Sequence, residues 1–201
     1  MAPAEPGVTS RRQSPLAVGR PPAADGEHAP SPQDEYRELM SCFPTGVAVV
    51  TSLGADGVPR GLTCSALASV TLSPPTLLVC LHLDSGTFRA VRSNGMFAVN
   101  LLHSDGQEAA HLFSTPGGDR FSKIRWRTSA SGVPLLVDGA FAHAECRVTG
   151  TISVGDHAVV IGEAIAVTRT SAVPLLYGLR HFSVWPGHER NGDGAADPQP
   201  S

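Results

Sequence analysis

Phe141-Ala142-His143-Ala144-Glu145-Cys146-Arg147-Val148-Thr149-Gly150-Thr151-Ile152-Ser153-Val154, then Gly155-Asp156-His157, then Ala158 to Arg169, is the stretch that decides the fold. Phe141, His143, Glu145, Arg147, Thr149, Thr151 and Ser153 alternate with Ala142, Ala144, Cys146, Val148, Gly150, Ile152 and Val154. A period of two sustained over this length marks a β-strand with unlike faces. Gly155-Asp156-His157 turns the chain, and Ala158 to Arg169 returns as the partner strand.

Upstream the same grammar repeats. Gly46 to Leu53 is β-rich, Gly54-Ala55-Asp56-Gly57 makes a hairpin turn, and Val58 to Leu72 reads as one returning strand. Pro74-Pro75 breaks the chain, and the apolar run Thr76 to Leu83 is strand-length. Asp84 and Ser85 open a helix that closes near Asn94-Gly95. Met96 to Leu102 is another buried strand, and Asp105 to Phe113 a second short helix. An entry helix is expected from Asp34, as its cap, to Phe43, ended by Pro44; Tyr177 to Trp185 adds a last strand. Long hairpins with short helices predict a mainly β, antiparallel barrel, closed or nearly so, and exclude repeated βαβ units.

The 201 residues suffice for one domain with tails. Seven of the 17 prolines fall in residues 1–33 with few large apolar side chains, so that segment and residues 187–201 are expected to be disordered, with the folded domain at 34–186. A net charge of -3 gives no basic surface for nucleic acid or an anionic membrane. No apolar run is long enough for a transmembrane helix, and no secretory signal is readable. Cys42, Cys64, Cys80 and Cys146 lie far apart in apolar settings, which fits reduced thiols in a cytoplasm. The spacing of the eight histidines matches no metal-ligand pattern, so no metal site is expected. A Gly-x-Gly-x-x-Gly dinucleotide turn, a Walker A loop, a Gly-x-Ser-x-Gly elbow and a His-Glu-x-x-His helix are all missing.

Four segments in register carry a resemblance: Phe43-Pro44-Thr45-Gly46-Val47-Ala48-Val49-Val50-Thr51; Gly61-Leu62-Thr63-Cys64-Ser65-Ala66 with Ser73-Pro74-Pro75 after it; Ser85-Gly86-Thr87-Phe88-Arg89 leading to Phe97-Ala98-Val99-Asn100; and Gly155-Asp156-His157. Together they resemble the short-chain flavin reductases, the reductase components of two-component flavin-dependent monooxygenases, built on the FMN-binding split barrel. The resemblance implies an antiparallel split β-barrel with a few short helices. It also implies reduction of FMN or FAD by NADH or NADPH, delivery of reduced flavin to a partner monooxygenase, and a homodimer with flavin near the subunit interface.

The residues suit that chemistry. Ser85-Gly86-Thr87 follows a strand and opens a helix, where free N–H groups and the helix dipole attract phosphate. Arg89 and Arg92 lie one turn in, though ordinary N-capping explains the same residues. The small, hydroxylic Thr63-Cys64-Ser65-Ala66 lets a flat ring lie against main-chain donors, and the resemblance places it along the isoalloxazine and ribityl chain. Cys64 has no neighbouring cysteine in sequence and reads as a passive neighbour. The resemblance assigns His157 to the nicotinamide side, with Asp156 orienting it or merely making the turn, and adds Thr45 and Tyr177 as contacts. The choice between NADH and NADPH stays open; Arg180, in Tyr177-Gly178-Leu179-Arg180-His181-Phe182, carries the charge to meet a 2′-phosphate. Two other readings keep the barrel: a pyridoxamine-phosphate-oxidase-like enzyme, for whose substrate phosphate no basic cluster is evident, and a non-catalytic flavin- or haem-binding protein, which has no use for the Gly-Asp-His turn.

Overall fold

The computed structural model describes residues 30–185, residue 116 excepted. The expected tails therefore lie outside the described residues, apart from 30–33. Helix α1 (Pro32–Ser41) begins two residues earlier than the sequence predicts. Ser31, not Asp34, is its cap: the Ser31 side chain accepts from the Asp34 N–H, and the Asp34 carboxylate accepts from the Ser31 N–H. With proline in the first turn this is a capping box, a stronger start signal than an aspartate alone.

The strands are β1 (Thr45–Gly46), β2 (Ala48–Leu53), β3 (Pro59–Cys64), β4 (Leu67–Leu72), β5 (Pro75–His82), β6 (Met96–Leu102), β7 (Trp126–Thr128), β8 (Pro134–Leu136), β9 (Ala140–Val154), β10 (His157–Arg169), β11 (Leu175–Gly178) and β12 (His181–Val184). Helices α2 (Gly86–Asn94) and α3 (Gln107–Ser114) flank β6 in sequence. Seven strands form one antiparallel sheet in the order β3-β2-β6-β9-β10-β5-β4; β1-β11-β12 and β7-β8 make two small ones.

The run expected as one strand from Val58 to Leu72 is two strands, at opposite edges of that sheet. Pairing with β2 ends where Cys64 faces Ala48. Beyond it the Leu67 N–H turns to the Ser65 carbonyl, the Cys80 N–H meets the Ala66 carbonyl, and β4 continues along β5. Three residue steps span at most about 10 Å, so the two edges must come together at this corner. The sheet is thereby a barrel split along β3 and β4.

Val47 and Val49 face one core, while Ala48 and Val50 face the other, so the start of β2 is apolar on both sides. The inner core packs Val79, Leu81, Phe97, Val99 and Val160 under Phe88 and Val91 of α2. The outer core joins Ala110 and Phe113 of α3 to Phe121, Leu136 and Leu175. Strand β9 forms as one strand, but residues 151–154 are exposed on both faces and its polar face is partly covered by chain near Glu145. Ser131 donates to the buried Glu145 carboxylate, and His143 Nε2 lies 2.8 Å from the Leu136 carbonyl. The last expected strand is a hairpin, β11 with β12.

Asn100 ties three elements together. Its amide donates to the Val49 carbonyl and to Thr51 Oγ1, and its carbonyl accepts from the Leu136 N–H, all buried. Replacing Asn100 with alanine should cost about 2 kcal/mol or more, since buried partners left unsatisfied cost about 1–3 kcal/mol each. Denaturant unfolding of the two proteins measures this, and equal stability would contradict it.

Candidate functional site

A cleft of about 1170 Å³ opens where the corner between β3 and β4 meets the start of α2, the side of α3 and the β11–β12 hairpin. Thr63, Cys64, Ser65, Ala66, Ser85, Thr87, His157 and Tyr177, all predicted from sequence, line it. Thr45, Arg89 and Asp156 do not. Thr45 is held against Tyr177 in the β1–β11 ladder, so it supports a wall residue. Arg89 folds back on its own first turn, where Nη1 donates to the Asp84 carbonyl at 2.7 Å. Asp156 acts through its neighbour, as described below.

The corner supplies donors. Ser65 and Ala66 are exposed and lie between strands. Among the described residues their main-chain N–H groups donate to nothing, because the ladder with β2 has ended and that with β5 takes only the Ala66 carbonyl. Neighbouring side chains are already committed. Thr63 Oγ1 donates to the Ala110 carbonyl at 2.6 Å, fastening α3 to β3, so its hydroxyl hydrogen is not available to a ligand. Cys64 Sγ lies 3.5 Å from the Ala66 carbonyl, and burial pushes its thiol up to about 11. Cys64 is therefore a neutral packing group, as its sequence context implies.

The start of α2 supplies a second set. Ser85 is the N-cap, its Oγ accepting from the Phe88 N–H at 3.0 Å, with its own O–H left to donate. Thr87 is buried, lines the cleft, and makes no side-chain hydrogen bond among the described residues. Beside Gly86 the nearest neighbour of a built Cβ is Arg60 Cδ at 3.6 Å, so that turn is open on its cleft side. Arg60 and Arg120 are the cations that sequence reading missed here. Both come from segments remote in sequence and signalled by no motif. Arg120 lines the cleft, its guanidinium 5.8 Å over the Phe113 ring, and burial followed by the charge of Arg60 lowers its pKa. Arg60 lies outside the cleft lining and donates to Asp56 Oδ2 at 2.8 Å, so of the two Arg120 is the cation that the cleft presents to an anionic ligand.

The third wall is imidazole. Gly155, with φ of +58°, makes the two-residue turn with Asp156, so His157 is the first residue of β10, not part of the turn. His157 Nδ1 lies 2.7 Å from Asp156 Oδ1, and this hydrogen bond holds the Asp156 carboxyl below the usual carboxylate range. A proton on Nδ1 leaves the Nε2 lone pair of a neutral ring as an acceptor. His82 pairs with His157 across the β5–β10 ladder, the rings 5.2 Å apart at 74°. Its Nδ1 accepts from the Asp84 N–H, which fixes the proton of the neutral ring on Nε2.

A split barrel whose corner presents open main-chain donors beside a helix start and an imidazole wall offers a cleft suited to a nucleotide-type ligand. The comparisons agree. Residues 40–186 match the flavin reductase like domain, and the chain belongs to that family. It is 53% identical over 152 residues, 75% of this chain and 89% of the relative, to a flavin reductase (NADPH) from Lentzea aerocolonigenes. The NADH:FAD oxidoreductase of Streptomyces globisporus C-1027, solved with NAD and FAD fragments, superposes with a TM-score of 0.74 at 33% identity over 81% of this chain and 99% of that one. The flavin reductase component of a bacterial two-component tryptophan halogenase gives 0.70 at 31% identity, covering 77% and 98%.

Burial sets thiol reactivity. At pH 8 an alkylating reagent should label exposed Cys42 first, while Cys64 and Cys146, raised to about 11 and about 12, react only on unfolding. Peptide mass spectrometry reads the order, and rapid labelling of Cys64 in the folded protein would contradict it.

Proposed function

We propose that the protein is an NAD(P)H-dependent flavin reductase that takes free FMN or FAD, returns it reduced, and supplies it to a separate flavin-dependent monooxygenase. The observation that carries this reading is the pair of unpartnered N–H groups at Ser65 and Ala66, in one cleft with Thr87 and His157. Bound flavin supplies the ring that accepts a hydride. The chain's own residues do the rest. Ser65 and Ala66 hold the polar edge of the ring, where negative charge gathers, by preorganised donors. Ser85, Thr87 and the N–H groups at the start of α2 hold the phosphate, with Arg120 on the same cleft wall. His157, kept in one tautomer by Asp156, accepts from the carboxamide of the nicotinamide and aligns it. No side chain is assigned a proton transfer.

A cleft whose walls at Ser65, Ala66 and His181 stay exposed suits a ligand that arrives and leaves. A two-copy assembly is supported by apolar side chains left exposed on β4 and β10, with Leu72 at 86% and Val167 at 65% exposure. No described helix is long and apolar enough to cross a membrane, and all four cysteines are free, which supports a cytoplasmic setting.

Steady-state oxidation of NADH or NADPH should require added FMN or FAD; full-rate oxidation without flavin would overturn the reading. Thr87→Val keeps the shape of the buried side chain and removes its hydroxyl. A hydrogen bond to a charged oxygen is worth about 1.5–3 kcal/mol, so flavin Kd by fluorescence titration should rise about tenfold. An unchanged Kd would remove Thr87 from the phosphate site.

A further inference from the structure

Two guanidinium groups line the cleft. Arg120 stands over Phe113 of α3 and is already assigned to the phosphate, and Arg180 stands on the β11–β12 hairpin. The first is absorbed by the flavin site. The second has no part in the function described so far, and its backbone is unusual. Gly178 pairs with His181, so Leu179 and Arg180 form a two-residue loop, with φ of +50° and +63°. A hairpin loop with both residues left-handed favours Asn-Gly, because a Cβ is strained there. Strain of this kind is retained where a side chain is needed in place.

The loop is also fixed. The Leu179 N–H donates to the Ser41 carbonyl of α1 at 2.6 Å, and Arg180 Nη2 donates to Glu38 Oε2 at 2.7 Å. Both side chains of that ion pair are about two-thirds exposed, so a stronger anion displaces the carboxylate readily. Beside Arg180 the wall is aromatic: Tyr177 and Phe182 lie 5.2 Å apart, and His111 meets the edge of Phe182 at 5.0 Å. All three line the cleft and form an aromatic ledge whose ring faces suit contact with a purine.

We propose that Arg180 reads the 2′-phosphate of an adenine nucleotide seated on the Tyr177–Phe182–His111 ledge, so that NADPH is the preferred hydride donor over NADH. The inference rests on the reductase reading and gives it a donor. Glu38 occupies the guanidinium in the free protein. A phosphate dianion presents two oxygens to the planar fork and replaces Glu38 as its bidentate partner. A ribose 2′-hydroxyl carries no charge and does not.

Arg180→Gly is the informative variant, because glycine accepts the left-handed φ and the loop keeps its shape. At saturating FMN, kcat/KM for NADPH should fall about tenfold or more, with NADH within about twofold. Calorimetry with 2′,5′-ADP and with 5′-ADP gives a readout without turnover. Wild type should bind the 2′-phosphorylated probe about tenfold tighter, and Arg180→Gly should abolish that difference. Glu38→Gln should lower the NADPH KM and leave that for NADH unchanged. Equal losses for both nucleotides, or a 2′,5′-ADP preference that survives in Arg180→Gly, would overturn the assignment and leave flavin reduction intact. A wild-type protein that oxidises neither nucleotide with flavin present would instead overturn the reductase reading, and the probe titration would still decide the role of Arg180.

Discussion

One run of chain has to serve both edges of a seven-stranded sheet. Residues 59–72 pair first with β2 and then with β5, which occupy opposite sides of the barrel. Only two residues, Ser65 and Ala66, separate the strands, so the edges converge there and diverge away from it. A corner of this kind leaves N–H groups that neither ladder can use. The same constraint that splits the barrel therefore leaves open main-chain donors in the cleft, without any dedicated side chain. Bulky or branched residues at the corner would close the space, which explains the small side chains of Cys64, Ser65 and Ala66.

Around that corner the structure arranges two centres of positive charge and one wall of imidazoles. Arg120 and the start of α2 form one centre; Arg180, paired with Glu38, forms the other. His82 and His157 stand together beside a single carboxylate, Asp156. Two nucleotide ligands that share one cleft need separate anion sites and a common place for their rings to meet, and the proposed assignments give each a place. The fixed donors lie on strand ends and a helix terminus, whereas the second cation sits on a hairpin tip held by α1.

Much of this was legible in the sequence, for physical reasons. The alternation from Phe141 to Val154, the Ser85 cap and the run Met96 to Leu102 are local signals, and the structure has each element in place. The split of Val58 to Leu72 was not legible, because a strand that changes partners keeps its β character throughout. Ser31 was passed over for Asp34, since both are capping residue types and only the reciprocal bond distinguishes them. Arg60 and Arg120 escaped because nothing in their own sequence neighbourhoods points to a ligand; folding alone brings them together. Arg89, close in sequence to the phosphate-suited turn, was a natural candidate that its bond to the Asp84 carbonyl holds outside the wall.

The central claim is that the corner's main chain, not a reactive side chain, holds the flavin ring. Amide hydrogen exchange at single-residue resolution tests it directly, with and without FMN. The account predicts that the Ser65 and Ala66 amides exchange fast in the free protein and are slowed about tenfold or more when FMN is bound, as two N–H groups gain acceptors. Unchanged exchange at both residues on saturation with FMN would contradict it.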